Sequence, residues 1–250
     1  MAELDRRYGQ GTAVGRGEAI DQGLRSYMLR VYNYMGSGVA LTGVVAYAIF
    51  ALAVQQGAGG ALELTAFGTF MYASAFKWVL FLAPLGLVFF LSARINSMSL
   101  GAAQISFWAF AALMGASISS IFLVYAGQSI AQVFFITAAA FGALSLWGYT
   151  TKRDISAWGS FLFMGLIGVI IAMLVNLFLQ SSALQFAISV IGVLVFAGLT
   201  AYDTQQIKEM YSANDDGTVS GRKAVMGALR LYLDFINLFM MLLSLFGDRR

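Results

Sequence analysis

Gly198-Leu199-Thr200-Ala201-Tyr202-Asp203-Thr204-Gln205-Gln206 lies near the end of a long apolar run and places a carboxylate, Asp203, inside it. A second stretch, Leu231-Tyr232-Leu233-Asp234-Phe235-Ile236-Asn237, puts another carboxylate in the middle of the next apolar run. Both runs read as membrane helices. A charged side chain at the centre of such a helix costs about 2.5–3.5 kcal/mol on insertion scales, so it faces a protein interior or a water path. Two of them on consecutive helices are the strongest functional signal in the chain.

Outward from these stretches, the composition agrees with a membrane setting. Hydrophobic residues make up 60% of the 250 and charged residues 11%, against about 25% charged in a soluble domain. Gly occurs 27 times and Pro once, which suits helices packed closely through small residues. Cys and His are both absent. Disulfides, thiol catalysis and most zinc or iron sites are therefore excluded, and any response to pH must come from carboxylates. The net charge of +3 is a topology signal rather than a nucleic-acid footprint, because the basic residues flank apolar segments.

Seven apolar segments approach the roughly 20 residues needed to cross a bilayer. They are Val31–Val54, Ser74–Ala93, Leu100–Tyr125, Ser129–Tyr149, Ala157–Leu179, Ala183–Ile207 and Ala224–Phe246. Short connections predict one all-α, polytopic bundle rather than two domains. Only Ala126-Gly127-Gln128 separates segments 3 and 4, and residues 61–73 read as lying along the outer surface before segment 2 turns inward. Residues 1–26 are polar and Gly-rich, with no cleavage-site pattern, and read as a flexible cytoplasmic tail.

Lys and Arg alternate between connections. The first 30 residues carry Arg6, Arg7, Arg16, Arg25 and Arg30, the 2–3 turn Arg94, the 4–5 loop Lys152 and Arg153, and the 6–7 loop Lys208, Arg222 and Lys223. The 1–2, 3–4 and 5–6 connections carry none, which predicts a cytoplasmic N-terminus. Arg249 and Arg250 break the alternation if segment 7 spans. A re-entrant segment 7 would return them to the cytoplasm, and a spanning helix enclosed by protein is the preferred expectation.

Helical spacing puts Asp203 on a face with Leu199, Thr200 and Gln206, and Asp234 on one with Arg230 and Asn237. Asp234 lies about ten residues, roughly 15 Å, into its helix, and Asp203 reaches a similar depth if helix 6 continues to Met210. The two carboxylates can then meet. Close carboxylates in a low-dielectric site do not both ionise cheaply, so such a pair shares a proton. The pair would switch between a protonated closed contact and an ionised state that attracts a cation. With Asn237, Gln206 or water it offers the hard oxygen ligands of a weak, transient Ca²⁺ site. In a plainer arrangement, Asp234 pairs with Arg230 while Asp203 faces cytosolic water.

At these residues the chain resembles the Bax inhibitor-1 family of membrane proteins, in its bacterial YccA-like branch. The motifs are Tyr202-Asp203-Thr204-Gln205 and Leu231–Phe239, supported by Ser117–Phe122 and Gly148–Arg153. The resemblance covers about residues 25–248. It implies seven helices with the last central between two three-helix layers, and a pH-sensitive Ca²⁺ leak in the cell inner membrane sensed by Asp203 and Asp234. It also implies an arginine of helix 2 as counter-ion, a role that falls on Arg94; as a plain positive-inside anchor, Arg94 would have no part in the site. Arg230, one turn before Asp234, is a departure that favours ionised Asp234. No catalytic residue and no cofactor are implied.

Rival functions fare differently. An intramembrane aspartyl protease needs Gly-x-Gly-Asp, where this chain has Tyr232-Leu233-Asp234, and a retinal protein needs a core lysine that helix 7 lacks. No helix-breaking pair or two-half repeat supports a proton-coupled transporter. Asn214-Asp215-Asp216-Gly217 lacks the ligand spacing of a calcium loop. The family resemblance also implies the serious alternative, a regulatory protein that binds and modulates a membrane-bound ATP-dependent protease, working through the tail and bundle surface rather than the acids.

Overall fold

The computed structural model describes the backbone of residues 2–57 and 61–250, with side chains described from Gln22 onward. Seven long helices carry the fold: α1 (Ala2–Ala53), α2 (Phe76–Arg94), α3 (Leu100–Ile118), α4 (Gly127–Thr150), α5 (Trp158–Leu179), α6 (Ser182–Glu209) and α7 (Gly217–Phe246). A four-residue turn of helix, Ile121–Val124, prolongs α3. Seven spans long and apolar enough to cross a membrane result, the first running from Gln22 to Ala53. Most side chains of the predicted tail lie outside the described residues, while Gln22–Ser26 already belong to α1.

The helix ends follow local chemistry. Ser99 caps α3 by accepting the Ala102 N–H at 3.2 Å, and Asp216 caps α7 by accepting the Val219 N–H at 2.7 Å. The α5–α6 turn is made by Gln180 in the left-handed region, φ 48°, with Ser181 capping α6 through the Leu184 N–H. Asn176 Oδ1 accepts the Ser181 N–H at 3.0 Å and holds this turn closed.

Residues 61–73 depart from expectation. Instead of a simple surface stretch, β1 (Val54–Gln56) pairs antiparallel with β2 (Leu62–Leu64) in the register Val54↔Leu64. Thr65 then ties the chain back to α1, donating from its hydroxyl to Leu52 O at 2.9 Å and from its N–H to Ala53 O at 3.0 Å. A π-helical turn, Thr69–Ala73, leads into α2. The ribbon satisfies backbone groups that an extended strand at a membrane edge would leave open.

The helices form two layers around α7. In one layer α3 packs between α2 and α1; in the other α6 packs between α5 and α4. Helix α7 contacts α1, α3, α4 and α6. Its span is 61% buried, against 11% for α2 and for α5, so α7 is the core and the outer pair face the surroundings. Large apolar side chains such as Phe178, Phe161 and Phe89 are exposed on the outside. Such a belt requires a covering of lipid.

Helix α7 traverses the bundle. After Phe246, the Ala126 N–H donates to Asp248 O at 2.9 Å, the Arg250 N–H to Val124 O at 3.0 Å and the Asp248 N–H to Ser129 Oγ at 2.9 Å. Its end is thus fastened to the α3–α4 junction. Three helices, α4, α5 and α6, separate that junction from the start of α7, so the two ends lie on opposite faces. Thirty residues make about 45 Å of helix, ample for a crossing.

Aromatic side chains of α7 grip both layers. Tyr232 is fully buried, meets Phe107 and Phe110 edge-on at 6.0 and 5.4 Å, and lies 2.6 Å from Thr42 Oγ1 through its hydroxyl. Phe235 meets Phe134 and Phe141 edge-on at 5.6 and 5.5 Å. Within each layer, glycine brings backbones together: a Cβ at Gly115 would lie 2.6 Å from Thr42 O, and one at Gly148 would collide with Ala201 O.

Gly148→Ala is expected to destabilise the detergent-solubilised protein by about 1–3 kcal/mol through overpacking. Gly168→Ala, where a Cβ meets nothing within 4 Å, should be neutral or stabilising. Thermal unfolding of the two variants checks the difference.

Candidate functional site

Asp234 is 5% exposed, on the most enclosed helix of the bundle. Its Oδ2 is buried and, among the described residues, receives no hydrogen bond from any N–H or hydroxyl. The group within hydrogen-bonding reach is the carboxyl of Asp203 on α6. Carboxylates only accept, so this contact becomes a hydrogen bond when one of the two acids carries a proton. The arrangement is therefore a pair with room for one shared proton.

The elements that bring the acids together are the antiparallel neighbours α6 and α7. Their seam is packed closely by Gly227 against Ile207 and by Gly192 against Met241. Helix α6 extends to Glu209, with Met210 as its C-cap, which sets Asp203 deep enough to meet Asp234. Beside Asp203, a directed chain of hydroxyls crosses from α1 to α6. Thr204 donates to Thr200 O at 2.7 Å, and so accepts from Ser145 at 2.9 Å, which in turn accepts from Tyr32 at 2.8 Å. This chain ties the two layers at the level of the acid pair.

The other sequence-predicted residues divide. Arg230 is exposed, yet its charge bears on both carboxyls. It forms no ion pair with Asp234; among the described residues the ion pair is Lys223–Asp215, at 2.6 Å. Arg94 is exposed at the end of α2 and is not brought to the acids. Asn237 turns its amide back to Leu233 O of its own helix, at 2.9 Å. Gln206 donates to Ser156 Oγ at 3.3 Å and Glu209 Oε2 at 3.2 Å, away from the pair.

Sequence reasoning passed over Gln205. This buried side chain accepts the Ile155 N–H at 3.0 Å and donates to Arg153 O at 2.8 Å, pinning the α4–α5 loop to the residues beside Asp203. Two adjacent glutamines gave no local sign of which one turned inward. In that loop, hydrogen bonds from Ser156 to Asp154 hold the Asp154 carboxyl below the usual carboxylate range. Near the start of α7, Asp215 pairs with Lys223 and Asp216 serves as the helix cap, so the Asn214–Gly217 acids are engaged structurally.

The comparisons with known proteins agree with this architecture. The family model described as inhibitor of apoptosis-promoting Bax1 matches residues 24–250. The inner membrane protein YbhL of Escherichia coli is 48% identical over 91% of this chain and 94% of its own length. An uncharacterized protein of Rickettsia prowazekii is 46% identical over 96% of both chains, and one of Caulobacter vibrioides 41% identical over the full length of both. The chain belongs to the Bax inhibitor-1 family of membrane proteins.

Proposed function

We propose that this protein is a pH-sensitive cation leak of the bacterial inner membrane, with Ca²⁺ as its favoured cargo and Asp203 and Asp234 as its sensor. The observation that carries this reading is the buried Oδ2 of Asp234, which has no hydrogen-bond partner among the described residues while the Asp203 carboxyl lies beside it. While a proton is shared the two side chains hold α6 against α7. When that proton leaves, two like charges face each other in a site of low dielectric, and the contact becomes repulsive. The same charges attract a cation. Closure therefore belongs to the protonated side of the titration and opening to the deprotonated side.

Calcium favours six to eight oxygen ligands. Two carboxyls supply only part of that shell, and no cluster of three or more metal-binding acids occurs among the described residues. The site suits passage rather than storage, with no resident cofactor and no enzymatic step. Arg230 takes the counter-ion role first assigned to Arg94, because its charge reaches the pair. Arg94, Lys152, Arg153, Lys208, Arg222 and Lys223 belong to the connections at one end of the bundle. Contacts support that grouping, since Arg222 binds Met98 O at 3.2 Å and Lys208 Nζ binds Tyr149 O at 2.9 Å. By the positive-inside rule that end, and the N-terminus with it, is cytoplasmic.

Infrared titration should reveal a carboxylic acid C=O band from the shared proton. The band is expected to be lost in Asp203→Asn and in Asp234→Asn, because an asparagine amide donates the hydrogen bond without a bound proton. Calcium flux into proteoliposomes should rise with pH for the wild type, and either substitution should flatten that dependence. Flux with unchanged pH dependence in both variants would remove the acids from the gate. Absence of flux from folded wild-type protein would shift the assignment to modulation of a membrane-bound ATP-dependent protease.

A further inference from the structure

A groove of about 610 Å³ opens between α1 and α4, the helices that border the gap between the two layers. It is almost wholly apolar along its length, with Met28, Phe141 and Phe235 in its walls. The Tyr32–Ser145 hydrogen bond uses the hydroxyls that line it. Gly142 also lines the groove, and a Cβ built there meets nothing within 4 Å, so the space is open rather than filled by a neighbouring side chain.

Its dimensions and its ends are unequal in a telling way. On α1 the lining runs from Arg25 to Met35, ten residues of helix or about 15 Å. That is half of the roughly 30 Å hydrocarbon thickness of a bilayer, the depth of one leaflet. One end carries Arg25, exposed, and Tyr149, whose ring lies 5.4 Å from Lys208 Nζ. The other end, at Met35 and Ala138, is apolar. A cation, Arg25, at an interfacial end and an apolar slot one leaflet deep match the two parts of a single amphiphile.

We infer that this groove is a binding site for one anionic phospholipid, with an acyl chain between α1 and α4 and its phosphate held by Arg25. A guanidinium suits phosphate oxygens through paired, charge-assisted hydrogen bonds. Basic pockets between membrane helices on the cytoplasmic side are suited to anionic headgroups. The acyl chain lies against Phe235, the neighbour of Asp234, so the lipid also buttresses the helix that carries the acid.

The test uses the full-length protein in phosphatidylcholine nanodiscs with and without phosphatidylglycerol, read by native mass spectrometry for retained lipid and by thermal unfolding. The wild type should retain one phosphatidylglycerol in preference to phosphatidylcholine and unfold at higher temperature in its presence. Arg25→Gln should lower that preference about tenfold. Gly142→Phe, whose ring enters open space, should abolish retention while helical content by circular dichroism is unchanged. Equal retention of the two lipids by the wild type, or retention by Gly142→Phe equal to wild type, would overturn the assignment and leave only annular lipid. Because retention and unfolding are measured without calcium, this outcome is separable from that of the flux experiment.

Discussion

A carboxyl group halfway along a membrane helix is the constraint from which the rest of this structure follows. Asp234 cannot face lipid without a cost of about 2.5–3.5 kcal/mol, and burial alone would strand its oxygens without donors. The bundle meets both conditions together. It encloses α7 between two three-helix layers and supplies a second carboxyl as the one group in reach. Enclosure is thus what underlies the proposal of a shared proton. Outer helices α2 and α5 need no such provision, and their apolar surfaces are left to the lipid.

Holding a central helix against layers on both sides requires grip in more than one direction. Tyr232 supplies it toward α1 and α3 through two edge-on aromatic contacts and the Thr42 hydroxyl. Phe235 supplies it toward α4, and the acid pair and the Gly192–Met241 contact toward α6. The hydroxyl chain from Tyr32 through Ser145 to Thr204 then joins the layers directly. In an apolar medium such hydrogen bonds and close packing are what associate helices, since burial of apolar surface offers little there.

Much of this was legible because membrane helices announce themselves by length and composition. All seven spans, the narrow break at Ala126 and the central place of α7 follow from apolar runs, helical spacing and the family motifs. Boundaries were less legible. The span within α1 begins at Gln22 and α7 begins at Gly217, well before the apolar segments at Val31 and Ala224, because helix continues beyond the hydrocarbon once a cap such as Asp216 is available. The ribbon at Val54–Leu64 was hidden by an apolar stretch too short for periodicity to classify. Gln205 and the groove depend on how side chains turn and helices diverge, which no local pattern records.

The arginine beside the acids shows why position, and not residue type, decides the electrostatics. At about 4 Å two unit charges interact by roughly 4 kcal/mol at an effective dielectric of 20, and by only about 1 kcal/mol in water. A guanidinium within ion-pair distance of Asp234 would favour both acids in ionised form and remove the reason for a shared proton. Arg230 instead stands exposed, with water to screen it, and forms no ion pair with either acid. An exposed guanidinium can bias such a pair without neutralising it, which leaves the proposed shared proton in place. Arg94 stands exposed at the end of α2, which packs against α3 in one layer. In the proposed mechanism the counter-ion is therefore Arg230, carried on α7 itself one turn from Asp234.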